Sequence, residues 1–218
     1  MIGLADASLP KNVVVYEGES GPGKSKHVVF IASDHEYRAE ETCPAIARIL
    51  AKHHGFKCSV IFGVNDQGFI DPGSSNIAGT KLLDEADLLF IFTRFLDPSD
   101  EQMKPIDDYL NRAGPVIGLR TSTHAFRNPK STYKKYSFRY PGDEYKFGFG
   151  RQVLGESWAG HYGPNHKSST RLDIVPKNQG HVVLSGCKDM HGMAGAYKAD
   201  PEPNSVVLAM SQPLSGME

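Results

Sequence analysis

Four nearly unbroken apolar runs constrain this chain more than any other feature: HVVFIA at 27–32, KCSVIFGV at 57–64, ADLLFIF at 86–92 and PVIGL at 115–119. A run that stays apolar without alternating suits a strand covered on both faces, as in a parallel sheet between helical layers. The segments between the runs supply those layers. Cys43, Ile46, Ala47 and Leu50 fall at helical spacing within a helix expected over 40–54, and Gly55 is placed to end it. Ser99 and Gln102 fit a capping box opening a second helix, which turns Met103, Ile106 and Leu110 inward. Pro105 should kink its early part, and Gly114 should end it.

Strands alternating with helices in this way predict βαβ units, right-handed crossovers and a mainly parallel sheet, an α/β fold. A short strand at 13–16 precedes them, a Gly-, Asn- and Asp-rich loop covers 65–79, and Leu82 and Leu83 start a helix-like turn. From 126 to 149 the pattern dissolves into an aromatic, lysine-rich insertion. A helix is expected over 151–158, with weaker strands near Leu172, Val182 and Val206. With no repeat and no low-complexity linker, the 218 residues read as one domain: a core at 26–125, the insertion at 126–150 and a C-terminal part at 151–218.

A net charge of -1 argues against a nucleic-acid partner held through phosphates. The basic stretch from Lys130 to Arg139 is interrupted by Tyr133, Tyr136 and Phe138 and reads as a solvated loop face. No apolar run approaches the roughly 20 residues that span a bilayer, so no membrane span is expected. The start, MIGLADASLPKN, has no apolar core of a secretory signal. A soluble chain, either cytoplasmic or exported after loss of a signal, satisfies these observations, as does a homo-oligomer. Cys43, Cys58 and Cys187 show no metal-type pairing; the first two read as buried structural thiols, and a disulfide scaffold is not expected.

The string GESGPGKS at 18–25 matches a phosphate-binding loop letter for letter. A true one opens a helix, whereas this one runs into a strand, and ADLLFIF ends in Thr93 and Arg94 instead of an acid. It reads as a turn.

In open parallel sheets ligands sit beyond the carboxyl ends of the strands. The residues delivered there are Asp34, His35, Glu36, Tyr37 and Arg38, then Thr93, Arg94 and Phe95, then Arg120, Thr121, Ser122, Thr123 and His124. Arg94 and Arg120 end strands expected to be central and buried, where a cation needs a carboxylate or an anionic or polar ligand. Trp158, His161 and His166 lie in a glycine-rich segment whose aromatic and polar groups suit either a sugar ring or a core. His35, His124, His161 and His166 with Glu36 would make a divalent metal site, such as zinc; their spacing is no zinc signature, so no ligand set is assigned and no cofactor is required.

The segments GPGKSKHVVFIASDHEYRAEE, ADLLFIFTRF, GPVIGLRTSTHAF, FGRQVLGESWAGHYGPNH and HVVLSGC together resemble the ThuA-like (trehalose utilisation) family, in the branch found in planctomycete-type bacteria. The resemblance runs over nearly the whole chain from about Val13. It implies a flavodoxin-like, class I glutamine amidotransferase-like three-layer sandwich and a place in disaccharide or keto-sugar metabolism. Amidotransferases of that fold carry a cysteine nucleophile on a strand-to-helix elbow; laid on Gly118-Leu119-Arg120-Thr121-Ser122, that position is Arg120. Arginine cannot act as a nucleophile, so glutaminase or amidotransferase chemistry is not expected. Ser122 and Thr123 stand beside His124, but no residue pattern puts either on the elbow tip. The resemblance also implies a further strand, a G-R-V-type run and a final helix beyond SQPLSGME, so the C-terminal part reads as truncated relative to the family.

The expected catalytic residues are Arg120, His124 and His161, with Asp34, His35, Glu36, Arg94, Thr121, Trp158 and His166 binding substrate. In that scheme Arg120 and Arg94 hold an oxyanion or polarise a carbonyl, His124 or His161 moves protons, and Asp34 or Glu36 orients the histidines. The expected activity is that of a hydrolase or isomerase acting on a small-molecule sugar. The alternatives are a non-catalytic carbohydrate- or partner-binding module and a metal-dependent hydrolase.

Overall fold

The apolar runs become strands of one sheet in the computed structural model, which describes residues 9–128 and 131–215. The first eight residues, the last three, and Lys130 of the basic stretch lie outside the described residues. The sheet comprises β1 (Val13–Tyr16), β2 (His27–Ser33), β3 (Lys57–Phe62), β4 (Leu88–Thr93) and β5 (Val116–Gly118). Their order is β1-β3-β2-β4-β5; β2 to β5 run parallel, and β1 pairs antiparallel with β3. The protein is therefore mixed α/β with a mainly parallel five-stranded sheet.

All seven residues of β2 are buried, because each face of the strand meets its own core. Val28, Phe30 and Ala32 pack with Cys58, Val60, Phe90 and Phe92 against Cys43 and Ala47 of α1 (Ala39–His54). Val29 and Ile31 pack with Leu89 and Ile91 against Met103, Ile106 and Tyr109 of α2 (Asp100–Asn111). The strand period of two divides the side chains between these layers, and each buried Val, Ile or Phe contributes about 1.5–3 kcal/mol.

Both helix ends follow local chemistry. Gly55, at φ 80°, caps α1: its N–H donates to Ala51 O, and the next N–H, of Phe56, donates to Leu50 O. Ser99 Oγ accepts from Gln102 N–H at the start of α2. The Gln102 side chain does not return to Ser99; its amide reaches Asn76 Oδ1 at 2.8 Å, so half of the capping box instead anchors the 65–79 loop. The helix continues through Pro105. The left-handed residue that ends it is Ala113, at φ 58°, and not Gly114. Gly114 is needed for space, since a Cβ there would lie 2.3 Å from Tyr109 Cζ. Ala113→Gly should therefore stabilise the protein by about 0.5–1 kcal/mol, the left-handed penalty less glycine's extra chain entropy. A rise in the thermal midpoint checks this.

Three expectations change. β5 is a short edge strand instead of a central one, and Ile117 on it is 44% exposed. A three-residue apolar strand looks the same in sequence at an edge as in the middle. The segment expected as an aromatic, lysine-rich insertion also supplies core residues: Phe126, Tyr136 and Phe149 are buried on the α2 side of the sheet. Its irregular backbone hides this, because no period marks the inward residues. The helix expected over 151–158 is α3 (Gly148–Leu154), stopped by Gly155 at φ 80°.

Tyr136 fastens this segment by donating its hydroxyl to Asp107 Oδ1 at 2.6 Å, and Lys135 Nζ lies 2.9 Å from the same oxygen. Burial pushes the Asp107 carboxyl up, but the hydrogen bonds from Tyr136 and Lys135 and the lysine charge outweigh it and hold the group below the usual aspartate range. A carboxyl with a lowered folded-state pKa contributes stability that is full above its unfolded value, about 3.9, and is lost as pH falls through the folded value. Asp107→Asn should flatten the acid limb of the stability profile below about pH 4; denaturant unfolding at stepped pH measures it.

The chain divides into two compact units between Ser157 and Trp158, where the sequence reads as one domain. The second unit has its own sheets: β7 (Ser169–Ile174) pairs with β8 (His191–Gly192) and β10 (Ala209–Leu214), and β6 (His161–Tyr162) pairs with β9 (Ala196–Tyr197). Leu172 is in a strand as expected. Val182 instead starts a 3-10 turn and is 80% exposed, and Val206 precedes β10. Among the described residues no helix is long and apolar enough to cross a membrane.

Candidate functional site

The sheet order places β3 and β4 on opposite sides of β2, so the direction of the crossovers reverses between β2 and β4. Connections leaving two such strands diverge and open a crevice at their carboxyl ends. The loops flanking it are those after Ser33 and Thr93, and the turn after β5 lies on the same rim.

Asp34 builds the first loop. It is fully buried, and its Oδ1 accepts the N–H of Glu36 at 2.6 Å and of Tyr37 at 2.7 Å. Its Oδ2 accepts the Thr121 hydroxyl. One carboxylate thus closes an Asx turn and ties that turn to the segment carrying Arg120. Asp34 is a positioning residue, with both oxygens engaged.

Tyr37 carries this order to Arg120. Arg120 Nη2 donates to the Tyr37 hydroxyl at 2.8 Å, and the guanidinium carbon lies 4.4 Å from the Tyr37 ring centroid. Arg120 itself has φ 37°, on the turn from β5 into a 3-10 helix at Arg120–His124. Such a conformation costs roughly 1–3 kcal/mol in a residue with a side chain and persists where the surroundings enforce it. Phe95, just past β4, is also left-handed at φ 55°, with its N–H donating to His124 O at 3.0 Å.

Arg94 is held by its neighbours. Its Nε lies 2.9 Å from Glu36 Oε2, and its Nη1 is 2.7 Å from His35 Nε2. A guanidinium only donates, so His35 Nε2 accepts, and the ring proton sits on Nδ1. Gly73 makes room for that ring, since a Cβ there would lie 2.7 Å from His35 Nδ1.

His124 is only 2% exposed, in ring contact with Phe95 at 4.8 Å and Phe138 at 6.2 Å, with Thr123 Oγ1 at 3.2 Å from its Nδ1. Ser122 is buried; its hydroxyl donates to Ile91 O at 2.8 Å and accepts the Thr93 N–H at 3.4 Å, so it is engaged within the fold. All three cysteines are free thiols. Burial, followed by the charges of Glu40 and Asp34, pushes the Cys43 thiol up to about 12. Burial, followed by the charge of Glu17, does the same to Cys58. Neither is an activated thiolate at neutral pH.

The structure therefore gathers Asp34, His35, Glu36, Arg94, Arg120, Thr121 and His124 on one rim. Trp158, His161 and His166 belong to the second unit. There His161 packs edge-on between Trp158 at 5.7 Å and Tyr197 at 5.0 Å, and His166 takes φ 62°. Among the described residues no group of three or more His, Cys, Asp or Glu side chains is arranged to hold a metal ion. The GESGPGKS string lies at the carboxyl end of α1, where Gly23 N–H donates to His54 O at 2.8 Å. That is the negative pole of a helix and unsuited to phosphate.

Two residues not assigned from sequence now enter the site. Tyr37 supports Arg120, and Phe95 stacks beneath the Arg94 guanidinium at 4.5 Å. For Phe95 the signal is an aromatic directly after a strand-end arginine; the Tyr37–Arg120 pair joins distant segments and leaves none. Compared with protein-family models, with curated proteins and with solved structures, the chain matches none.

Proposed function

We propose that the chain is a ThuA-like protein with a flavodoxin-like, class I glutamine amidotransferase-like sandwich, and that its strand-end rim takes a disaccharide or keto-sugar. The observation that carries this reading is Arg120, left-handed at φ 37° on a strand-to-helix turn and seated on Tyr37. The elbow that presents a nucleophile in amidotransferases here presents a fixed cation. The parallel strand order β3-β2-β4-β5 supports the same fold.

A guanidinium fixed beforehand favours oxygen that gains negative charge, as a sugar carbonyl does on enolisation or addition. His124 is the rim histidine not bound to Arg94, and it would move the proton. Asp34 holds the loop and Thr121, and Glu36 pairs with Arg94. That engagement of both carboxylates, together with that of Ser122, favours a second reading, a carbohydrate-binding module without turnover.

Disaccharides and their 3-keto forms, screened by calorimetry and by mass spectrometry, separate the two. Turnover lost in Arg120→Ala supports the enzyme, and heat without product supports the module. In either case Arg120→Ala should weaken binding about tenfold or more. Binding and turnover unchanged in that variant would remove Arg120 from the site.

A further inference from the structure

Beside the rim, within the first unit, lies a cavity of about 610 Å³ whose wall includes Arg127, Lys134, Phe138, Arg139 and Tyr140. That volume is within the range of small-molecule sites. Its chemistry differs from that of the rim. Arg127 lies over the Phe95 ring at 4.6 Å and Arg139 over the Phe138 ring at 5.0 Å. Stacking fixes each guanidinium by its face and leaves the N–H edges for an acceptor. Among the described residues none of Arg127, Lys134 and Arg139 forms an ion pair, whereas Arg94 and Lys135 nearby both do.

Glu144 stands next to the cavity. Its carboxyl is held below the usual range first by the hydrogen bond from the Tyr140 hydroxyl and also by the charge of Lys134. One carboxylate against three cations leaves the wall positive. In the same wall Ser137 Oγ accepts the Asn128 N–H at 3.0 Å. Asn128 is fully buried, and neither atom of its side-chain amide has a partner among the described residues.

We propose that this cavity is a second binding site, for a small organic phosphate. The phosphate would sit among Arg127, Lys134 and Arg139, and the organic part would lie on Phe138 and Tyr140. Three cations match a dianionic phosphate better than a single carboxylate, and guanidinium edges match its oxygens in pairs. The aromatic wall gives an organic phosphate an advantage over the free ion. This assignment goes beyond the rim reading and does not depend on it.

Calorimetry with glucose 6-phosphate, glucose and inorganic phosphate tests it on the full chain. Glucose 6-phosphate should bind more tightly than inorganic phosphate, and its affinity should fall with added salt. The Lys134→Gln/Arg139→Gln double variant should bind it at least about tenfold more weakly, while Arg120→Ala binds it as the parent does. Both substituted side chains are exposed; should the double variant not fold by circular dichroism, Arg127→Gln alone carries the same expectation. Equal affinity for glucose and its phosphate, no binding of the phosphate, or binding unchanged in the charge variants overturns the proposal. So does loss of phosphate binding in Arg120→Ala, which would place the phosphate on the rim. A single-stranded oligonucleotide that outcompetes glucose 6-phosphate also overturns it. Failure of neutral sugars to bind bears on the rim alone.

Discussion

Replacing Asp34 with alanine is expected to lower the stability of the protein by about 3 kcal/mol. The side chain is fully buried and accepts two backbone N–H groups and the Thr121 hydroxyl. Hydrogen bonds to a charged acceptor each contribute about 1.5–3 kcal/mol, and donors left unsatisfied add a penalty. The consequence reaches the rim as well. Without Asp34 the turn that places Tyr37 opens, and Arg120 loses the phenol on which it stacks. Asp34→Asn should be milder, since an amide oxygen still accepts the backbone N–H groups and the amide nitrogen can meet Thr121 Oγ1. Urea unfolding of the two variants decides the matter. A change below about 0.5 kcal/mol in Asp34→Ala, as is usual for surface substitutions, would show that this carboxylate does not organise the loop.

Gly150→Ala should be comparably damaging for a steric reason. A Cβ at Gly150 would lie 2.1 Å from Thr123 O and 2.7 Å from Glu156 O. Both neighbours are backbone atoms, so no side chain can turn aside, and α3 must move off the segment that carries Arg120 and His124. Overpacking of this kind costs about 3 kcal/mol at the upper end of its usual range, which lowers the thermal midpoint by roughly 10 °C in a chain of this length. Gly180→Ala is the control, because a Cβ there meets nothing within 4 Å. Equal midpoints for the two variants would mean that α3 does not press on the rim.

The sheet was legible where burial leaves a mark on every residue. β2 is apolar from Val28 to Ala32 because it is covered on both faces, and its helix α1 shows an apolar stripe and a terminal glycine. Legibility fails where neighbours in space decide. The exposed edge of β5 reflects that, among the described residues, no strand pairs with it beyond Val116–Gly118, which the strand's own residues do not record. Tyr136 and Phe149 join the core from an irregular segment with no period to reveal an inward face. For the rim, the strand-end rule located the residues but not their roles. Asp34, Glu36 and His35 look like substrate ligands in sequence, yet in the fold Asp34 ties the loop to Thr121, and Glu36 and His35 both meet Arg94. The Tyr37–Arg120 stack joins residues 83 apart, and no local pattern predicts it.

Under the proposed function, ligand enters at the carboxyl ends of β2, β4 and β5 around Arg120. Backbone amide resonances followed by nuclear magnetic resonance during titration with a disaccharide that binds by calorimetry test it most directly. The largest shifts are expected at Glu36, Tyr37, Phe95 and the Arg120–His124 turn, with those shifts abolished in Arg120→Ala. Shifts confined to residues away from these loops, or a pattern unchanged by that substitution, would contradict it.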